Sequence, residues 1–181
     1  MLRLAAFLRG MNLGRRRISN ADLRAHVEAL GFAEVATFRA SGNVILTAPE
    51  DDALATVARR LETGLSEALA YDVPVFARSA AQVQAIAALE PFSAKELAAS
   101  KGKPQVMLLA CRPGASARRA ALALMPDGDR FVFAAQELHW LPASGLSETT
   151  LDLKALAKTI GHGTMRTKGT IELIAARYLA D

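Results

Sequence analysis

The residues of this chain best suited to chemistry are arginines set among glycines and short polar side chains, and the chemistry they suit is the grip of an anion. Arg9-Gly10-Met11-Asn12-Leu13-Gly14-Arg15-Arg16-Arg17 joins an apolar run to Ser19-Asn20-Ala21-Asp22, a pattern that opens a helix with Ser19 as its cap. A helix start presents backbone N–H groups and a dipole that favours negative charge. Gly10 and Gly14 allow close backbone approach, and guanidinium groups hold phosphate or carboxylate in a two-pronged way. No G-K-[ST] follows, so this is not a Walker loop, and it is not a dinucleotide fingerprint either. The plain alternative is a solvated basic turn whose glycines serve only its geometry.

Two further stretches are of the same kind. Ser41-Gly42-Asn43 separates two apolar runs and reads first as a hairpin turn, because Gly and Asn tolerate left-handed conformations. Its functional reading has the Ser41 hydroxyl and the Asn43 amide orienting a ligand. Thr164-Met165-Arg166-Thr167-Lys168-Gly169-Thr170 gathers hydroxyls and cations at the start of the last helix, a second anion site. The alternative there is N-capping by Thr167, with Arg166 and Lys168 in water.

Other chemistries find little support. His26, His139 and His162 are widely separated and none has a second ligand at metal spacing, so no metal is expected. No cofactor motif is present and no cofactor is expected. Cys111 ends an apolar run and reads as a small buried hydrophobe rather than a nucleophile. Ser144-Gly145-Leu146-Ser147 lacks the nucleophile-elbow pattern, and no triad assembles, so enzyme status stays open. RNA-binding sheets of the RRM type stack bases on strand aromatics. Here the first strand offers only Phe7 and residues 44–48 offer none, so most aromatics are expected in the core.

The elements that must position these stretches follow from periodicity. Strands are expected at 2–8, 35–40, 44–48 and 73–77, with helices at 19–30, 51–70 and 79–89. After a connector at 91–103 the order returns: strands at 105–110, 130–134, 138–141 and 163–166, helices at 113–124, 150–160 and 170–179. The fold class is therefore α+β: two ferredoxin-like β-α-β-β-α-β halves related by duplication, each an antiparallel sheet with its helices on one face, plus a C-terminal helix. The first half covers 1–90 and the second 104–181. The halves share order rather than visible residue identity.

Composition sets the outer bounds. In 181 residues, 51% are hydrophobic and 22% charged, ordinary for a globular chain able to build its own core. A single cysteine suits a reducing compartment. The opening ten residues carry Arg3 and Arg9 and no cleavage signal, and no apolar run approaches bilayer length, so a cytoplasmic protein without membrane contact is expected. Net charge is +4, but six arginines fall in the first 24 residues with Asp22 the only acid among them. That asymmetry makes a small anion the first expected partner and nucleic acid, held through its phosphates, the second.

These residues also resemble a family. The run Ala-Ala-Phe-Leu-Arg-Gly-Met-Asn-Leu-Gly at 5–14, the Ala21-Asp22-Leu23 helix, Gly31-Phe32, Ser41-Gly42-Asn43-Val44, Glu90-Pro91-Phe92 and Thr164-x-Arg166-x-x-x-Thr170 are similar to the motifs of the domain of unknown function 1697, a family of bacterial-type cytosolic proteins. The resemblance implies a duplicated α+β fold and carries no activity with it. By resemblance Arg9, Gly10, Asn12 and Gly14 match the family loop, Ser41, Gly42 and Asn43 its hairpin, and Thr164, Arg166 and Thr170 its C-terminal pattern. Arg15 stands where the family usually doubles the glycine, and Thr167 where it has Asn. Loops that recur across a family point to a shared ligand, so an anionic ligand, a nucleotide or phosphorylated metabolite, is expected where the three stretches converge.

Overall fold

The computed structural model describes residues 1–11, 16–39 and 42–180. The chain divides into two compact units, one formed by Met1–Ile86 with Leu173–Asp181 and the other by Ala87–Glu172.

In the first unit the order is β1 (Leu2–Leu8), α1 (Asn20–Ala29), β2 (Ala33–Thr37), β3 (Asn43–Ala48), α2 (Leu54–Leu69), β4 (Val75–Ser79) and α3 (Ala80–Ala88). The strands form an antiparallel sheet in the order β2-β3-β1-β4. Strand periodicity sends alternate residues to opposite faces. Leu4, Ala6 and Leu8 of β1 with Val44 and Leu46 of β3 therefore share one face, where Leu23 and Val27 of α1 and Val57, Leu61 and Leu65 of α2 complete a core. Both helices thus lie on one side. The opposite-face residues Ala5, Phe7 and Ile45 are buried as well, which is why β1 reads as an apolar run without alternation. Among the described residues no helix is long and apolar enough to cross a membrane.

The second unit repeats the pattern. β5 (Gln105–Leu109), α5 (Ala115–Ala123), β6 (Arg130–Ala134), β7 (Glu137–Leu141), α6 (Leu153–Ile160) and β8 (Gly163–Thr167) give an antiparallel sheet in the order β6-β7-β5-β8. Met107, Leu109, Leu138 and Trp140 pack on Ala121 of α5 and on Leu156 and Ile160 of α6. The Trp140 indole N–H donates to the buried Asp129 carboxylate at 2.7 Å, so the largest side chain enters the core with its polar atom satisfied. The connector is more ordered than its composition suggests. It holds α4 (Ala94–Ala99), opened by a capping box in which Ser93 and Glu96 exchange hydrogen bonds. The final helix α7 (Lys168–Tyr178) begins directly after β8, and α6 starts at Leu153 because Asp152 caps it.

Register makes the duplication visible where residue identity does not. Phe7 lies between Asn43 and Phe76 as Leu108 lies between Glu137 and Thr164. Two residues earlier, Ala5 lies between Ile45 and Arg78 as Val106 lies between His139 and Arg166. Arg78 and Arg166 are thus equivalent, and each donates from Nη1 to the carbonyl of the residue before it, Ala77 and Met165, at 2.9 and 2.8 Å. The next residues, Ser79 and Thr167, each accept the backbone N–H three positions on, from Gln82 and Thr170, at 3.2 Å.

Candidate functional site

Of the residues singled out from the sequence, the first unit brings four together. The Leu8 N–H donates to the Gly42 carbonyl at 2.7 Å, and the Arg9 N–H to the Pro74 carbonyl at 2.9 Å. The start of the first loop is therefore tied to the β2–β3 turn on one side and to the approach to β4 on the other. Gly10 and Gly42 have φ of 77° and 72°, left-handed values that suit glycine. A Cβ on Gly42 would lie 2.7 Å from Met11 Cγ and 3.0 Å from Leu8 Cβ, so loop and turn are in contact with no space between them. Asn12, Gly14 and Ser41 lie outside the described residues.

Asn43 is buried, and its amide donates to the Phe38 carbonyl at 2.8 Å while the Phe38 N–H donates to the Asn43 carbonyl at 3.0 Å. These bonds close the hairpin, so the described work of Asn43 is to hold the turn. Arg9 and Arg16 are exposed. The Arg16 guanidinium lies over the Tyr71 ring at 4.3 Å, and the Tyr71 hydroxyl donates weakly to Met11 Sδ at 4.0 Å. On the other side of the turn Arg39 lies over Phe38 at 5.2 Å, and Phe38 meets Tyr178 edge-on at 5.9 Å. Arg177 lies over Tyr178 at 5.5 Å. The helix start contributes less than expected. Ser19 caps α1 by accepting the Asp22 N–H at 3.0 Å, and the Asp22 carboxylate already supplies negative charge to that first turn. Cations, rather than the dipole, dominate this end of the unit.

Thr164, Arg166 and Thr170 belong to the second unit. Thr167 does cap α7, and its hydroxyl lies 2.9 Å from that of Thr170. The cations beside it are not in water. Arg166 is 8% exposed and donates to the Thr164 hydroxyl at 2.8 Å, and burial pushes its pKa down to about 10. Lys168 is buried too, with its ammonium donating to the Ala87 carbonyl at 3.0 Å, Glu90 at 2.7 Å and Glu172 at 2.6 Å. Burial works against its charge, but the hydrogen bonds and charges of Glu172 and Glu90 outweigh it and hold the pKa above the ordinary lysine value. A cavity of about 230 Å³ opens beside Lys168, yet each of its three donors already has an acceptor and none is left for a ligand.

Cys111 departs from expectation, and His139 stands out as well. Cys111 is exposed, because β5 ends at Leu109 and the chain turns out of the sheet before it. His139 is fully buried in β7, and its Nε2 has no hydrogen-bond partner among the described residues. Burial, helped by the Lys168 charge, lowers its pKa to about 4. Neither the buried lysine nor the buried histidine carries a sequence signal, since the histidine depends on strand pairing and the lysine on acceptors distant in the chain. Among the described residues no group of His, Cys, Asp and Glu could hold a metal ion.

Fold and loops together define a duplicated α+β protein with an arginine-lined loop and turn at one end of its first sheet. The chain belongs to the family described as Protein of unknown function (DUF1697), whose model matches residues 1–139. The first-unit loops fall inside that match, and Thr164, Arg166 and Thr170 lie beyond it. The chain is similar to the solved structure of conserved bacterial protein SP0830 from Streptococcus pneumoniae, with 20% identity, 97% of each chain covered and a TM-score of 0.72. At that identity the likeness shows the fold alone. No curated protein matches the chain.

Proposed function

We propose that the first unit binds an anionic small ligand, a nucleotide or phosphorylated metabolite of the cytoplasm, at the Arg9–Gly42 loop and turn. The observation that carries this reading is the Leu8–Gly42 hydrogen bond of 2.7 Å, which draws the arginine loop and the glycine turn into contact. Arg9 grips the anion and Arg16 supplies a second guanidinium, both suited to bidentate phosphate contact. Gly10 and Gly42 let the backbone approach, and Asn43 holds the turn in place. The reading also gives Asn12 and Ser41 the task of orienting the ligand and Gly14 that of admitting it, on sequence grounds. It is confined to the first unit, because the described hydrogen bonds of Arg166 and Thr170 are to hydroxyls and backbone of the second. Strand order β2-β3-β1-β4 supports describing each half as ferredoxin-like, a scaffold on which many sites are built.

Thermal-shift titration with phosphate, pyrophosphate, sugar phosphates and nucleotides tests this proposal. A bound anion at about 100 times its dissociation constant adds about 2.7 kcal/mol to stability. That gain is expected in the wild type and in Arg119→Ala, an exposed arginine of α5, and is lost in Arg9→Ala. Equal shifts in all three proteins, or no shift with any anion, would sink the reading. If only oligonucleotides stabilise, with an effect that vanishes as salt rises, phosphate-led nucleic-acid binding replaces it.

A further inference from the structure

The first unit carries a feature that phosphate binding alone does not use. Most aromatic rings sit in the cores, but Phe38, Tyr71 and Tyr178 are half-buried and each has an arginine guanidinium against it. They are linked by direct contacts. Arg16 lies over Tyr71, Tyr71 reaches Met11, Met11 packs where a Gly42 side chain would be, and Asn43 after it is hydrogen-bonded to Phe38. Phe38 in turn meets Tyr178, with Arg39 and Arg177 on the flanking rings. Three rings and three exposed guanidiniums therefore form a continuous run around the proposed anion site.

Alternating rings and guanidiniums are what a phosphate ligand with a flat aromatic group requires. A nucleobase stacks on a tyrosine or phenylalanine face or on a guanidinium plane, and arginine meets the phosphate. An exposed cation–π contact is weaker than a base–ring stack, so a base can displace Arg16 from Tyr71 and leave that guanidinium for the phosphate. A sugar phosphate would use the arginines and leave the rings idle.

Resting on the proposed anion site, we infer that its ligand is a nucleotide whose base stacks at Tyr71, with Phe38 as a second stacking position. Charge complementarity selects the phosphate and the rings select the base. The same chemistry is offered by a free mononucleotide and by an unpaired nucleic-acid strand.

Calorimetric titration with ribose 5-phosphate, adenosine 5′-monophosphate and a single-stranded hexanucleotide separates these cases. Wild type is expected to bind the mononucleotide about tenfold more tightly than ribose 5-phosphate, the gain of one base–ring stack. Tyr71→Leu should remove that gain while leaving ribose 5-phosphate binding unchanged, and Tyr71→Phe, which keeps the ring, should restore it. Phe38→Leu should weaken the hexanucleotide more than the mononucleotide. A hexanucleotide bound more tightly than the mononucleotide, and released by salt, identifies a strand as the natural source; equal affinity identifies the free nucleotide. If ribose 5-phosphate and the mononucleotide bind alike, or Tyr71→Leu leaves their ratio unchanged, the stacking inference is overturned while Arg9-dependent phosphate binding stands. If neither binds, both are overturned.

Discussion

Gly42 answers to two constraints at once. Its φ of 72° lies in the region that L side chains avoid, and an added Cβ would press on Met11 and Leu8. Gly42→Ala is therefore expected to cost about 1–3 kcal/mol through overpacking and backbone strain, read as a lower urea midpoint at unchanged slope. A cost near zero would mean that loop and turn are free to separate, which would remove the basis of the proposed site. The arginines and glycines here were legible because they are local in sequence. The Arg16–Tyr71 stack was not, since it joins residues far apart along the chain. Nor was the burial of Arg166, which looks like a solvated cation until β8 is paired with β5, or of Lys168, whose acceptors Ala87 and Glu90 lie far from it along the chain.

The elements follow from simple periodicities, and their ends follow from caps. The strand–helix order of both halves was legible because short, continuously apolar runs alternate with stretches of helical spacing. What escaped was α4, although Ser93-Ala94-Lys95-Glu96 carries the capping-box pattern, because Pro91 and the charges around it suggest a linker. The equivalence of Arg78 with Arg166 also escaped, since only cross-strand register aligns them. Helix α2 shows propensity overridden by packing. Gly64 sits inside it, where alanine would be favoured by about 1 kcal/mol on helix propensity alone. Yet an added Cβ would overlap the Leu30 side chain at the end of α1, so the glycine is what lets Leu30 pack there. Gly64→Ala is expected to lose most of that propensity gain in thermal denaturation, because the Leu30 methyls must move aside. Gly64→Ala combined with Leu30→Ala should recover part of that gain relative to Leu30→Ala alone, because the two positions share one space. Additive effects would show that the helices are held apart by something else.

For the molecule as a whole, charge sets how stability follows pH, and buried groups act at both the acid and the alkaline end. His139 has an ordinary pKa of 6.5 when unfolded and about 4 when folded, because burial and the Lys168 charge disfavour the imidazolium. Between those values the unfolded chain binds more protons than the folded one, so stability is complete above about pH 6.5 and falls as pH drops toward 4. At 1.36 kcal/mol for each pH unit the full loss is about 3 kcal/mol, a large part of the stability of an ordinary domain. Lys168 acts at the other end. Its raised pKa means that its contribution is present below the ordinary value of 10.5 and is lost as pH rises past it. Urea midpoints measured from pH 4 to pH 8 should therefore slope downward on the acid side in the wild type. His139→Leu should flatten that slope, since it removes the proton acceptor and leaves an apolar side chain at a buried position. Parallel acid slopes in wild type and variant would show that His139 already holds its proton in the folded state, which a buried Nε2 with no partner among the described residues argues against.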